Sequence, residues 1–163
     1  MADMMSSTDQ ITLRPLLPED AEVVAEIFYE AVMRGAVAFY TREERTAWAG
    51  PAPDPERWRD RIGTSVGLMA ERAGRSTGFM TLVAPGTIDL AFVHPDWSGH
   101  GIGGALLDAL TPIARASGAK ALEADVSKAA RRFFARHGFA PEGERHIHRR
   151  GVTLTAYRMR KPL

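Results

Sequence analysis

Four glycines fall within the six residues Gly99–Gly104, and they stand where the chain changes its hydrophobic period. Thr87–Val93, just before them, is a short apolar run of strand length, bounded upstream by the turn residues Pro85-Gly86. After them, Ile102, Leu106, Leu110 and Ile113 recur on one stripe with Leu107 and Ala114 beside it, which predicts an amphipathic helix from about Gly101 to Ser117, closed by Gly118. A strand passing through glycines into a long helix presents the first helical amides, which have no partners inside the helix, at the positive end of the dipole. Glycine allows positive φ and close approach of the backbone to a ligand. One glycine there would read as a tight turn; four in six read as an anion site suited to a phosphate or pyrophosphate.

The rest of the chain supplies a scaffold for that loop. Ile11–Leu16 alternates apolar and polar residues and predicts a strand. Ala21, Val24, Ala25, Phe28, Ala31 and Val32 follow at helical spacing from Pro18, with Gly35 as the stop. Thr41 and Glu44 have capping-box spacing and Asp54-Pro55 places an N-cap before a proline, so shorter helices are predicted over Arg42–Ala49 and Pro55–Ile62. Val66–Arg72, Ser76–Val83 and Thr87–Val93 read as an antiparallel meander. Beyond the long helix come a strand at Ala121–Val126, a helix at Lys128–His137, and strands at Phe139–Arg149 and Val152–Arg160 turning at Arg150-Gly151. This order predicts an α/β (α+β) fold, a mixed and mostly antiparallel sheet of six to seven strands flanked by helices.

Composition narrows the functions open to such a scaffold. At 163 residues the chain has room for one domain, placed at 11–163 behind a polar tail at 1–10 that lacks the features of a secretory signal. A net charge of +1 provides no broad basic field for nucleic acid, and no apolar run approaches the ~18 residues of a membrane span. The absence of cysteine removes disulfides, thiolate metal sites and cysteine nucleophiles, and makes the cytoplasm the default compartment.

Two ligand classes compete for the loop. Gly99-x-Gly101-x-x-Gly104 matches the dinucleotide fingerprint, with Glu123 and Asp125 at about the distance of a ribose-binding acid. The context disagrees: His94–Ser98 separates the strand from the first glycine, and a meander stands upstream where an open parallel sheet would be required. The stretch Ser98-Gly99-His100-Gly101-Ile102-Gly103 instead resembles motif A of the GNAT superfamily of acyl-CoA N-acyltransferases, written Q/R-x-x-G-x-G/A. Ser127–Phe139 resembles the same family's N-x-x-A-x-x-F-Y-x-x-x-G-F. With the N-terminal strand the resemblance covers nearly the whole chain, and it is greatest to the YafP-like bacterial branch.

The resemblance implies acetyl-CoA as cosubstrate, with its pyrophosphate cradled by the amides of Gly99, His100, Gly101, Ile102 and Gly103, and with Ser98 and Gly104 also among the cofactor-binding residues. The backbone of Phe92 and Val93 would pair with the pantetheine arm, an amide near Val93 would face the thioester oxygen, and Ser127 and Phe134 would also touch the cofactor. Ser98 stands where the family has Gln or Arg, which implies weaker binding. Phe134 stands where many members have the Tyr that protonates the departing thiolate. A thiol pKa near 8.5 makes the thiolate a tolerable leaving group without an acid; alternatively Tyr157 or Ser127 supplies the proton.

A lysine-like amine must lose a proton before it attacks. Asp89, read as sharing a strand face with Ala91 and Val93, is the first candidate for the base, against a structural ion pair; His94 either acts through water or caps the loop. Glu123 and Asp125 hold a cationic substrate or form salt bridges. His146 and His148 have no third ligand beside them, so no metal is expected. Tyr40, Trp48 and Trp58 are core aromatics or line an acceptor pocket. The reading is direct transfer of acetyl from acetyl-CoA to a primary amine, by a monomer or homodimer, with an acyl-CoA-binding sensor as the alternative.

Overall fold

The computed structural model describes residues 10–163, so the tail assigned to 1–10 lies, apart from Gln10, outside the described residues. The strands are β1 (Thr12–Pro15), β2 (Val66–Arg72), β3 (Arg75–Val83), β4 (Thr87–Val93), β5 (Ala121–Ser127), β6 (Ala140–Arg149) and β7 (Val152–Pro162). The helices are α1 (Ala21–Met33), α2 (Arg42–Ala49), α3 (Glu56–Gly63), α4 (Ile102–Ala116) and α5 (Arg131–Arg136). All seven strands join one sheet in the order β1-β2-β3-β4-β5-β7-β6, antiparallel throughout except for β4 with β5. One parallel pair is too few for the open parallel sheet that a dinucleotide site requires.

Alternation along the central strands builds a core on each face. Ala70, Met80 and Ile88 face α4, whose Ile102, Leu106, Leu107 and Leu110 are buried against them. Met69, Phe79 and Leu90 face the opposite way, onto Val24, Ile27 and Phe28 of α1 and Trp58 and Ile62 of α3. No helix among the described residues is long and apolar enough to cross a membrane.

Three local departures from the sequence reading have identifiable causes. Residues 128–130 form a turn before α5, because the Ala130 amide donates back to the carbonyl and Oγ of Ser127, at 3.1 and 3.2 Å. Pro55, already helical at φ −60° and ψ −31°, is the N-cap of α3 in place of Asp54. The third concerns β4. Thr81 pairs with Leu90 and Leu82 with Ile88, so Asp89 is an extra residue bulged out of the ladder. The bulge resets the alternation, leaving Ala91 and Val93 on the α4 face and Leu90 and Phe92 on the α1 face.

Candidate active site

The parallel pairing of β4 with β5 is confined to Thr87 with Glu123 and Ile88 with Ala124. Beyond the bulge the strands diverge. Leu90 donates to Thr81 Oγ1 (3.1 Å) and His94 to the Thr77 carbonyl (2.8 Å), so these amides point toward β3. Strand alternation then turns the N–H groups of Ala91 and Val93 toward the opened side. Sheet edges exposed in this way accept an extended ligand as an added strand.

A cavity of about 670 Å³ occupies the gap, walled by Ala91, Phe92 and Val93 of β4, the glycine loop, Ser127, and residues of α5. A smaller cavity of about 60 Å³ adjoins it and is lined by Asp89 and Asp125. Trp48, Ala91, Phe92, Ser127, Ala130 and Phe134 line both, so the two meet across the divergence of the strands. Of the aromatic residues singled out in the sequence, Trp48 reaches the cavities, whereas Trp58 is buried against Phe28 with ring centroids 4.7 Å apart.

The glycine loop meets α4 as an anion cradle would. Gly101 is the helix N-cap at φ 81°, in the left-handed region, and no side chain caps the helix. The amides of Ile102, Gly103 and Gly104 lie in the first turn, where no carbonyl within the helix reaches them. A β-carbon on Gly103 would stand 2.9 Å from the Phe133 ring, so glycine there lets α5 pack against the mouth of α4. Ser98, Gly99, Gly101, Ile102, Gly103 and Gly104 all line the larger cavity. His100 does not: its amide donates to the Trp97 carbonyl at 3.3 Å, and its ring packs 5.7 Å from that of Trp97.

Arg132 and Arg136 add positive charge to the wall of the larger cavity, with His137 beside them, a contribution the sequence reading missed. Among the described residues neither arginine lies within ion-pair distance of a carboxylate. Their i,i+4 spacing, read together with the glycine loop, was the available signal.

The remaining candidates separate. Ser127 lines both cavities, with its hydroxyl oxygen accepting from Ala130 and its proton free to be donated. Phe134 also lines both, although its side chain is 2% exposed and packs edge-on against Phe133 and Phe139. Tyr157 lines neither cavity; the Arg131 guanidinium sits 4.1 Å above its ring. Asp89 does not share a face with Ala91 and Val93, because the bulge turns it toward α3, where both its carboxylate oxygens accept from Arg61 at 3.1 and 3.0 Å. His94 caps the turn at Pro95–Trp97, its Nδ1 accepting from the Asp96 amide at 3.2 Å.

Glu123 and Asp125 are held across the sheet by Arg158, Arg160 and Arg145, so their carboxylates are satisfied within the protein. His146 lies 3.7 Å from Glu144 and His148 bonds Thr153 at 2.9 Å. No group of three or more metal-ligating side chains occurs among the described residues. Tyr40 is a clamp: its hydroxyl donates to the Thr155 carbonyl at 2.6 Å and accepts from the Lys128 amide at 2.9 Å.

Residues 36–161 match the Acetyltransferase (GNAT) domain family. The uncharacterized N-acetyltransferase YafP of Escherichia coli (strain K12) is 29% identical over 152 residues, 93% of this chain and 96% of that protein. A crystal structure from Rhodopseudomonas palustris, described as a GCN5-related N-acetyltransferase and as a class-II aminotransferase, superposes with a TM-score of 0.89 at 36% identity, covering 99% of this chain and 100% of the other. The PaiA N-acetyltransferase of Thermoplasma acidophilum, solved with coenzyme A, has the same fold at 20% identity and a TM-score of 0.75, over 94% of this chain and 99% of that one.

Proposed function

This chain belongs to the GNAT acetyltransferase family, and on that premise we propose that it moves the acetyl group of acetyl-CoA directly to a primary amine in a ternary complex. The observation that carries this reading is the opened edge of β4, which turns the Val93 amide toward a cavity that ends in a glycine-capped helix. The first amides of α4 suit the pyrophosphate of the donor, and Arg132 and Arg136 add charge to hold its phosphates. Ala91, Phe92 and Val93 offer a strand edge to the pantetheine arm. The Val93 N–H is the fixed donor for charge that develops on the thioester oxygen.

In the proposed step the neutral amine attacks the thioester carbonyl, a C–N bond forms, the C–S bond breaks, and one proton passes from nitrogen to sulfur. Asp89, in the wall of the smaller cavity, receives the amine proton; Arg61 fixes its orientation, and a carboxylate has lone pairs beyond those two bonds. Ser127 supplies the hydroxyl for the departing sulfur, since it faces both cavities while Tyr157 faces neither. With no cysteine in the chain, direct transfer needs no thioester on the enzyme.

Release of free thiol from acetyl-CoA across a broad panel of primary amines tests the proposal, beside a thermal shift comparing acetyl-CoA with NAD. Amine-dependent thiol release and a rise in Tm with acetyl-CoA alone are the expected results. The substitutions Ser98 and Phe134, at positions where the family has polar side chains, favour one other reading, a sensor of acyl-CoA. A rise in Tm with acetyl-CoA but no thiol release with any amine would support it.

A further inference from the structure

Arg57 on α3 is a half-buried guanidinium for which no carboxylate partner is present within ion-pair distance among the described residues. Its Cζ lies 4.7 Å from the centre of the Phe28 ring and 4.9 Å from that of Trp58, and its Nη1 donates to the Trp48 carbonyl at 3.1 Å. Other cations crowd it. Burial, then Arg150, Arg149 and Arg61, hold the guanidinium below its ordinary pKa, and Asp54 is the one acid that works the other way. Arg61 is already committed to Asp89. Arg150, at the tip of the β6–β7 hairpin, leans across to donate to the Ala47 carbonyl of α2 at 2.7 Å. Keeping like charges together around a partly desolvated arginine is unfavourable unless something anionic offsets it.

Arg57 lines neither cavity itself, but the residues that hold it border both. Trp48, whose carbonyl holds Arg57, lines both cavities; Phe28, which carries the guanidinium on its face, packs 5.0 Å from Phe92, another residue of both walls. One helical turn along α3, Arg61 reaches Asp89 in the smaller cavity. A ligand bridging these features has an amine toward Asp89 and an anion toward Arg57. The guanidinium lies against the Phe28 and Trp58 rings and its Nη1 is engaged by the Trp48 carbonyl, which leaves Nε and Nη2 to meet a planar carboxylate.

Resting on the acetyl-transfer reading, we propose that the acceptor is a small amine bearing a carboxylate, of the amino-acid class, and that Arg57, flanked by Arg149 and Arg150, receives that carboxylate. Two measurements test this. In the first, thiol release is followed with amino acids, the amines left when their carboxylate is removed, and the matching aminophosphonates. The carboxylates are expected to lead in kcat/KM by at least about tenfold, a difference near 1.4 kcal/mol; equal or better use of the plain amines, or of the phosphonates, overturns the assignment.

The second needs no turnover, so it decides the matter even if acetyl transfer itself fails. Calorimetry on the CoA-saturated protein compares a panel of N-acetyl amino acids with their neutral carboxamides. Tighter binding of the acids, reduced at least about tenfold by Arg57→Gln while the affinity for acetyl-CoA stays unchanged, is the expected result. Equal binding of acid and carboxamide, or binding of neither, overturns it. Should Arg57→Gln not fold, Arg150→Gln carries the same comparison from the hairpin side.

Discussion

The hydroxyl of Thr81 accepts the backbone amide of Leu90 at 3.1 Å, and in doing so takes the place of a main-chain acceptor in the β3–β4 ladder. Asp89 is the residue displaced by that exchange. The bulge ends the pairing with β5, opens the edge at Val93, and delivers the Asp89 carboxylate to Arg61. Thr81 is fully buried, so its role shows in the core before it shows in the site.

Thr81→Val leaves the Leu90 amide buried without an acceptor, at a cost of about 1–3 kcal/mol. For a domain of this size that lowers Tm by roughly 2–4 °C per kcal/mol. Thr81→Ser keeps the oxygen and retains most of the stability. Differential scanning calorimetry of the two variants checks the contrast, and acceptor turnover should fall in the valine variant beyond what its stability explains.

Gly101→Glu is expected to abolish acetyl-CoA binding. The left-handed φ of 81° is strained for any side chain, by about 1–3 kcal/mol, and a carboxylate would sit at the positive end of α4 where a phosphate is proposed. Gly101→Ala separates the two effects, since it carries the strain without the charge and should weaken binding while still allowing it. Calorimetric titration with acetyl-CoA distinguishes them, and an unchanged affinity in the glutamate variant would sink the phosphate reading of this loop.

Arg132→Gln and Arg136→Gln should each weaken acetyl-CoA binding by about 3- to 10-fold, a modest effect because both side chains are exposed and screened by solvent. Their contribution is electrostatic. The affinity of the wild-type protein is therefore expected to fall with added salt, and the fall to flatten in the double variant; parallel salt curves would mean that neither arginine meets a phosphate.

What the sequence made legible was local. The apolar stripe of α4, the glycines before it and the capping box at Thr41 and Glu44 are short-range patterns, and each stands where the periodicity placed it. The bulge was not legible, because it depends on a Thr81 hydroxyl eight residues before the strand position it displaces, and strict alternation put Asp89 on the wrong face. Arg57 was hidden for a similar reason: in α3 the sequence drew attention to Trp58, while the isolation of its neighbour from acids depends on α2 and the distant β6–β7 tip. Tyr40 read as core or pocket lining, yet its hydroxyl ties two segments far along the chain.

That last contact carries its own prediction. Burial is the main cause that pushes the Tyr40 hydroxyl above its ordinary pKa of 10.0, opposed by the bond from the Lys128 amide. Because the folded value is the higher one, the stabilisation is fully present below the unfolded pKa and is lost as pH rises from there through the folded value. Tyr40→Phe should cost about 1–3 kcal/mol near neutral pH, through the unpaired Lys128 amide and Thr155 carbonyl. The same variant should lose less Tm than wild type between pH 9 and pH 11, the range in which the unfolded tyrosine ionises. Thermal melts of both proteins across that range read the difference directly, and parallel curves would show that folding does not raise the pKa of the Tyr40 hydroxyl.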